Sequence, residues 1–183
     1  MLPLFITGNQ NKINYLSKTL GFTLGYQKIE LDEIQSSNPK IVIEHKVRQA
    51  YELIQKPVLV EDTSLSFNAL DNLPGPFVKF FVEAENGLEN MCRMLDGFND
   101  RTAYGSVIYG YYDGEDVQYF KGRLDGTIAQ HPRGKGGYGW DKIFIPRGYN
   151  NLTRAELSPK DDIETYNQLR DTVGLRNFLL GHN

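Results

Sequence analysis

The sequence predicts a single mixed α/β domain spanning residues 1–183. Three observations predict it. Strand-type apolar runs alternate with segments of 3.6-residue helical period, the 183 residues suit about one domain, and neither an internal repeat nor a flexible linker divides the chain. An apolar fraction of 40% with 23% charged residues is ordinary for a globular protein and excludes disorder or a collagen-like chain. No apolar run approaches the roughly 18 residues of a membrane span, so neither a membrane partner nor a signal segment is expected. The net charge is −3 and the basic residues are scattered, so nucleic acid is not an expected partner.

The elements follow from local signals. Leu2–Thr7 reads as a short strand, Gly8-Asn9 as a turn, and Ile13, Leu16 and Leu20 as the apolar face of a helix stopped by Gly21. Ile29–Ile34 alternates like a second strand. Asn38-Pro39 then opens a helix with Ile43, Val47, Ala50 and Ile54 on its apolar face, ended by Lys56-Pro57. Val58–Val60 reads as a buried strand that delivers Glu61-Asp62-Thr63 at its end, where α/β proteins commonly place ligands. A rigid Leu73-Pro74-Gly75-Pro76 loop precedes helices at Phe77–Glu83 and Leu88–Leu95. Thr102–Tyr112 and Val117–Lys121 flank an Asp113-Gly114 hairpin turn, and Leu124–Ala129 extends the sheet. Lys142–Ile145 reads as a last strand and Asp162–Leu180 as a closing helix interrupted at Gly174.

The single cysteine, Cys92, falls in a helical apolar pattern and is expected as a buried thiol; it cannot form an intrachain disulfide. A reducing, cytoplasmic compartment is the default. His45, His131 and His182 are too dispersed for a metal triad.

Three constellations carry possible chemistry. The first, Thr7-Gly8-Asn9-Gln10-Asn11-Lys12, sits at a strand-to-helix junction, where free N–H groups and the helix dipole suit an anion and Lys12 adds a charge. It reads equally as a capped helix with a solvated lysine. The second is Glu61-Asp62 with Glu33. Neighbours in a strand point to opposite faces, so one of the pair enters a site with Glu33 to hold magnesium, or both are turn carboxylates. The third, Gly136–Asp141, places Tyr138 and Trp140 among glycines, either as a stacking face for a nucleobase or as a tight turn on the core. Lys46 and Lys79 project from helices as phosphate ligands or solvated side chains.

Together these residues resemble the inosine triphosphate pyrophosphatase family, enzymes that clear deaminated purine nucleoside triphosphates from the nucleotide pool. The resemblance covers Phe5–Lys12, Leu31–Gln35, Pro57–Phe81 and Tyr138–Glu156. It implies an elongated, twisted mixed β-sheet with flanking helices, two lobes with a nucleotide cleft between them, and a homodimer. It also implies magnesium-dependent hydrolysis of ITP, dITP or XTP to the monophosphate and pyrophosphate. By the same resemblance, Thr7, Gly8, Asn9, Gln10, Asn11 and Lys12 form the triphosphate loop, and Glu33 and Asp62 hold metal. Asp62 is the general base, Lys12 supports the leaving pyrophosphate, Lys46, Thr63 and Lys79 contact substrate, and Tyr138, Gly139, Trp140 and Asp141 adjoin base and sugar.

One departure stands out. Where the family carries a lysine and then a Ser-His-Arg purine grip, this chain reads Asp161–Arg170, with Asn167, Gln168 and Arg170 as the groups that could donate to a purine carbonyl. Altered base specificity and a catalytically inactive nucleotide-binding protein are therefore the alternatives to the family activity.

Overall fold

The computed structural model describes residues 2–181; His182 lies outside them. Strand β1 (Leu4–Ile6) leads into helix α1 (Gln10–Leu20), then β2 (Tyr26–Gln27), α2 (Pro39–Ile54) and the long β3 (Val58–Phe67). Next come β4 (Pro74–Gly75), α3 (Val78–Glu83) and α4 (Gly87–Arg93). The hairpin β5 (Thr102–Tyr112) and β6 (Gln118–Ile128) follows, then β7 (Phe144–Pro146), α5 (Pro159–Leu169) and α6 (Thr172–Gly181). The sheet order is β2-β1-β3-β5-β6-β7, with β4 pairing β3. It is mixed: β1 runs parallel to β2 and β3, whereas β3–β4 and β6–β7 are antiparallel.

The chain forms two compact units. The first comprises the chain up to Asp62, Val107–Gly122 and the chain from Arg170 onward; the second comprises Thr63–Ser106 and Arg123–Leu169. The first unit has a core of Ile6, Ile43, Val47, Ala50, Val58, Val60 and Ile108. Burying such aliphatic side chains contributes about 1.5 to 3 kcal/mol each. The second buries Leu65, Phe67, Met91, Leu95, Ile143, Phe144 and Tyr166.

Capping residues set the helix limits. Asn9 and Asn38 accept from the N–H groups of Asn11 and Lys40, each at 3.0 Å, and Pro39 occupies the first turn of α2. Gly21 ends α1 in the left-handed conformation at φ 77°.

Five expectations change. Ile29–Ile34 lies outside the β-ladder, because the Asp32 N–H donates to Gln49 Oε1 at 2.8 Å and Gln49 Nε2 returns a bond to Asp32 Oδ2 at 2.9 Å. This reciprocal pair ties the segment, at Asp32, to α2. Strand β3 runs on to Phe67, so Glu61, Asp62 and Thr63 sit inside it rather than at its end. Val117–Lys121 and Leu124–Ala129 belong mainly to one continuous strand, β6, and the expected strand at Lys142–Ile145 is displaced by a 3-10 turn, Gly139–Lys142, that comes before β7. The closing helix breaks at Arg170-Asp171 rather than at Gly174, and Asp171 Oδ1 accepts from the Gly174 N–H at 2.9 Å.

Candidate active site

In the first unit, alternation along β3 sends adjacent carboxylates to opposite faces, and each meets a lysine from a different helix. Glu61 takes Lys12 of α1 at 3.0 Å. Asp62 takes Lys46 of α2 at 2.8 Å, and the same ammonium reaches Glu33 Oε1 at 3.3 Å. Glu33 arrives there because the Asp32–Gln49 lock fixes its backbone to α2, one turn from Lys46. One ammonium thus brings Glu33 and Asp62, the two carboxylates that the resemblance assigns to metal, to a shared partner.

The two strand carboxylates have contrasting electrostatics. Burial is the largest influence on Glu61 and pushes its pKa up. The Lys12 and Arg170 charges, with hydrogen bonds from Lys12 and the Tyr109 hydroxyl, together outweigh it and hold the carboxyl at about 2. Arg170 is sealed beside Glu61, its Nε 3.6 Å from Oε2, and Gly122 lets the Arg170 backbone lie against β6. Arg170 is therefore an internal counter-ion and not the exposed purine grip that its sequence position suggested. For Asp62 burial prevails over Lys46, and the pKa is raised.

Asp62 Oδ2 is buried with no hydrogen-bond partner. An orphaned oxygen on a carboxylate that shares one ammonium with a second acidic side chain belongs to a donor set that suits a hard divalent cation. Among the described residues no group of three or more His, Cys, Asp or Glu forms a metal cluster. Two carboxylates match magnesium, which keeps water and takes further ligands from substrate phosphates.

The triphosphate-loop candidates surround the start of α1. Thr7 Oγ1 accepts from the Asn9 N–H at 3.1 Å, Asn9 caps the helix, and Gln10 Nε2 bonds Asn14 Oδ1 at 3.0 Å on the exposed face. The stem of Lys28 crosses Gly8, where an added Cβ would meet its Cγ and Cδ at 3.1 Å. Lys28 thus adds a basic side chain to this loop that sequence reading missed. Its only signal is its place after β2.

In the second unit, Thr63 continues β3 and Lys79 is exposed on α3, which packs against the Gly139–Lys142 turn. The two aromatics of that turn divide the alternative readings between them. Trp140 is a core residue, edge-on to Phe144 at 5.3 Å and lying over Gly105, where a Cβ would meet the indole at 2.7 Å. Tyr138, by contrast, is 38% exposed. Gly137 at φ 66° and Gly139 at φ 58° bracket it in conformations that favour glycine. Asp141 Oδ2 accepts from the Tyr138 N–H at 3.0 Å and closes the turn. Its Oδ1 accepts from Arg154 at 2.8 Å, a partner absent from the sequence-derived set. Asn167 and Gln168 are exposed on α5.

Cys92 is buried, as expected, and burial with Glu89 nearby pushes its thiol up to about 11. No described helix is long and apolar enough to cross a membrane.

Comparison with known proteins gives a consistent result. The chain is 40% identical over 159 residues to inosine triphosphate pyrophosphatase 2 of Trypanosoma cruzi, covering 85% of this chain and 81% of that protein. It is 41% identical over 157 residues to the inosine triphosphate pyrophosphatase of Batrachochytrium dendrobatidis, covering 84% and 80%. In fold it matches a HAM1 protein from Coxiella burnetii at a TM-score of 0.84 with 24% identity, over 99% of this chain and 100% of the other. The Staphylococcus aureus Ham1 protein matches at 0.81 with 23% identity over the whole of both chains. The Ham1 family profile matches residues 3–166, and the chain belongs to the Ham1 family.

Proposed function

We propose that this protein is a magnesium-dependent nucleoside triphosphate pyrophosphatase that hydrolyses ITP, dITP and XTP to the monophosphate and pyrophosphate. The observation that carries the reading is Lys46 bridging Asp62 and Glu33 while Asp62 Oδ2 stays buried and unbonded. Relatives about 40% identical that are named inosine triphosphate pyrophosphatases support it.

Glu33 and Asp62 would hold the magnesium ion, which when bound supplies positive charge at the phosphate oxygens. The side chains do the rest. Asp62 takes a proton from water as the water oxygen attacks the α-phosphorus, and the raised proton affinity of its carboxyl suits a general base. The bond from the α-phosphorus to the bridging oxygen breaks and pyrophosphate departs with the electron pair. Lys12, held from behind by Glu61, and the N–H groups of Gly8 and Gln10 receive its charge, while Thr7, Asn9 and Asn11 of the loop, with Lys46 and Lys79, complete the polyphosphate contacts. Thr63 contacts the substrate, and the Tyr138–Asp141 turn takes the base.

A second reading, the same reaction with altered base preference, is favoured by the burial of Arg170 beside Glu61 and the exposed amides of Asn167 and Gln168. The reading extends to a homodimer, which sedimentation tests directly, and to a cytoplasmic location, which cell fractionation tests.

The deciding experiment measures pyrophosphate release from ITP, XTP, dITP, GTP and ATP, with magnesium and with EDTA. Preferential release from ITP and XTP is expected. Release from all five alike supports the second reading. Orthophosphate as the primary product, or binding without turnover, overturns the proposal.

A further inference from the structure

Arg154 takes no part in the reaction outlined above, yet it is buried, with 6% of its surface exposed. Its guanidinium donates from all three nitrogens. Nη1 bonds Asp141 Oδ1 at 2.8 Å, Nη2 bonds Asp162 Oδ1 at 2.8 Å, and Nε bonds Thr165 Oγ1 at 3.2 Å. Thr165 Oγ1 donates in turn to the Asp162 carbonyl at 3.0 Å. One side chain therefore ties the aromatic turn, through Asp141, to α5, through Asp162 and Thr165.

The turn closes on itself through a capping box between Tyr138 and Asp141. Tyr138, 38% exposed, stands there between two glycines in left-handed conformations. Its backbone is held by Asp141, whose second oxygen is the one Arg154 grips. Around Arg154 everything else is also fastened. Thr153 and Glu156 form a capping box, Thr153 Oγ1 bonds the Arg133 carbonyl at 3.2 Å, and the Gly136 N–H bonds the Ala155 carbonyl at 3.0 Å. The guanidinium suits this task because its rigid fork carries enough donors to meet two carboxylates and a hydroxyl at once.

We propose that Arg154 is a positioning residue for base recognition: by clamping Asp141 to α5 it holds the Tyr138 ring where a planar purine stacks. The proposal rests on the nucleotide reading for the identity of the ligand.

Trp140 is the only tryptophan in the chain and lies inside the turn, so its fluorescence reports base binding without turnover. The test combines titration with IMP, followed by Trp140 emission, with steady-state hydrolysis of ITP. Wild type, Arg154→Met, Arg154→Lys and the double variant Arg154→Met, Asp162→Lys are compared. Arg154→Met is expected to raise the IMP Kd and the ITP KM by about tenfold or more through misplacement of the ring, with kcat changing less than about threefold. In the double variant, the ammonium introduced on α5 restores a cation between that helix and Asp141 and recovers most of that loss. If Arg154→Met does not fold, Arg154→Lys carries the same test, since an ammonium cannot span all three acceptors.

A folded Arg154→Met or Arg154→Lys protein with wild-type Kd and KM overturns the proposal. So does a double variant that regains wild-type thermal stability while KM stays raised. A wild-type protein that shows neither quenching by IMP nor turnover refutes the nucleotide reading itself, and the clamp falls with it.

Discussion

Lys46 Nζ stands 2.8 Å from Asp62 Oδ1 and leaves the other oxygen of that carboxylate buried and unbonded. Half of the carboxylate is thus neutralised and half is held ready for chemistry. Glu33, on the same ammonium, is far more open, with 42% of its side chain exposed.

Asp62→Asn is expected to lower kcat by about 100-fold to 10,000-fold, the usual worth of a general base. Stability should not fall. Because the folded pKa of Asp62 is raised, its ionised form costs the folded state at neutral pH, where the protonated form would not. The neutral amide removes that cost, and Lys46 retains Glu33. Thermal melting beside a pyrophosphate assay checks both halves.

Removing the bridging cation should move the pH profile. In the wild type, kcat/KM is expected to fall on the acid side with an apparent pKa above the ordinary 3.8 of an aspartate, as Asp62 gains a proton. Lys46→Met takes away the main charge opposing burial. The acid limb should then move to higher pH, which pH–rate profiles of the two proteins would show.

Glu61→Gln tests a different property, stability. The folded pKa of about 2 lies below the ordinary 4.5, so Glu61 contributes stability that is fully present above 4.5 and lost as pH falls toward 2. The substitution leaves Lys12 and the sealed Arg170 without their shared anion, and breaking such a buried pair costs about 3 to 5 kcal/mol. Urea unfolding at pH 7 should show that loss. Between pH 4.5 and 2 the gap to the wild type should narrow.

Glu33→Gln should raise the magnesium concentration needed for half-maximal activity while the fold stays intact, because Glu33 is exposed and replaceable as a structural element. Magnesium titration of ITP hydrolysis measures this. An unchanged requirement would remove Glu33 from the metal set.

What could be read from the sequence was what is decided locally. Asn9, Gly21, Asn38 and Pro39 mark the limits of α1 and α2, and the Asp113-Gly114 turn marks the β5–β6 hairpin, since caps and turns act within a few residues. Alternation in β3 also foretold that Glu61 and Asp62 would part company. What it could not show was which carboxylate served which lysine. Glu33 owes its place to Gln49, whose bond to Asp32 spans 17 residues, and that same contact cancels the strand expected at Ile29–Ile34. Trp140 reads either as a stacking ring or as part of the core until Gly105 is seen to make room for it there. Arg154 reads as one basic residue among several, because its acceptors come from another turn and from α5. Contacts of that kind depend on tertiary packing, which periodicity does not encode.

Neither compact unit is a continuous length of polypeptide: the chain enters the second along β3, returns along β5, leaves again along β6 and comes back for α6. A gene fragment cannot encode either one without interruption. Trimming the protein to its catalytic carboxylates, or shuffling the aromatic turn into another scaffold as a cassette, would sever strands that serve both. Inheritance of this architecture is consequently all or nothing, and variation has to proceed by exchanging side chains in place.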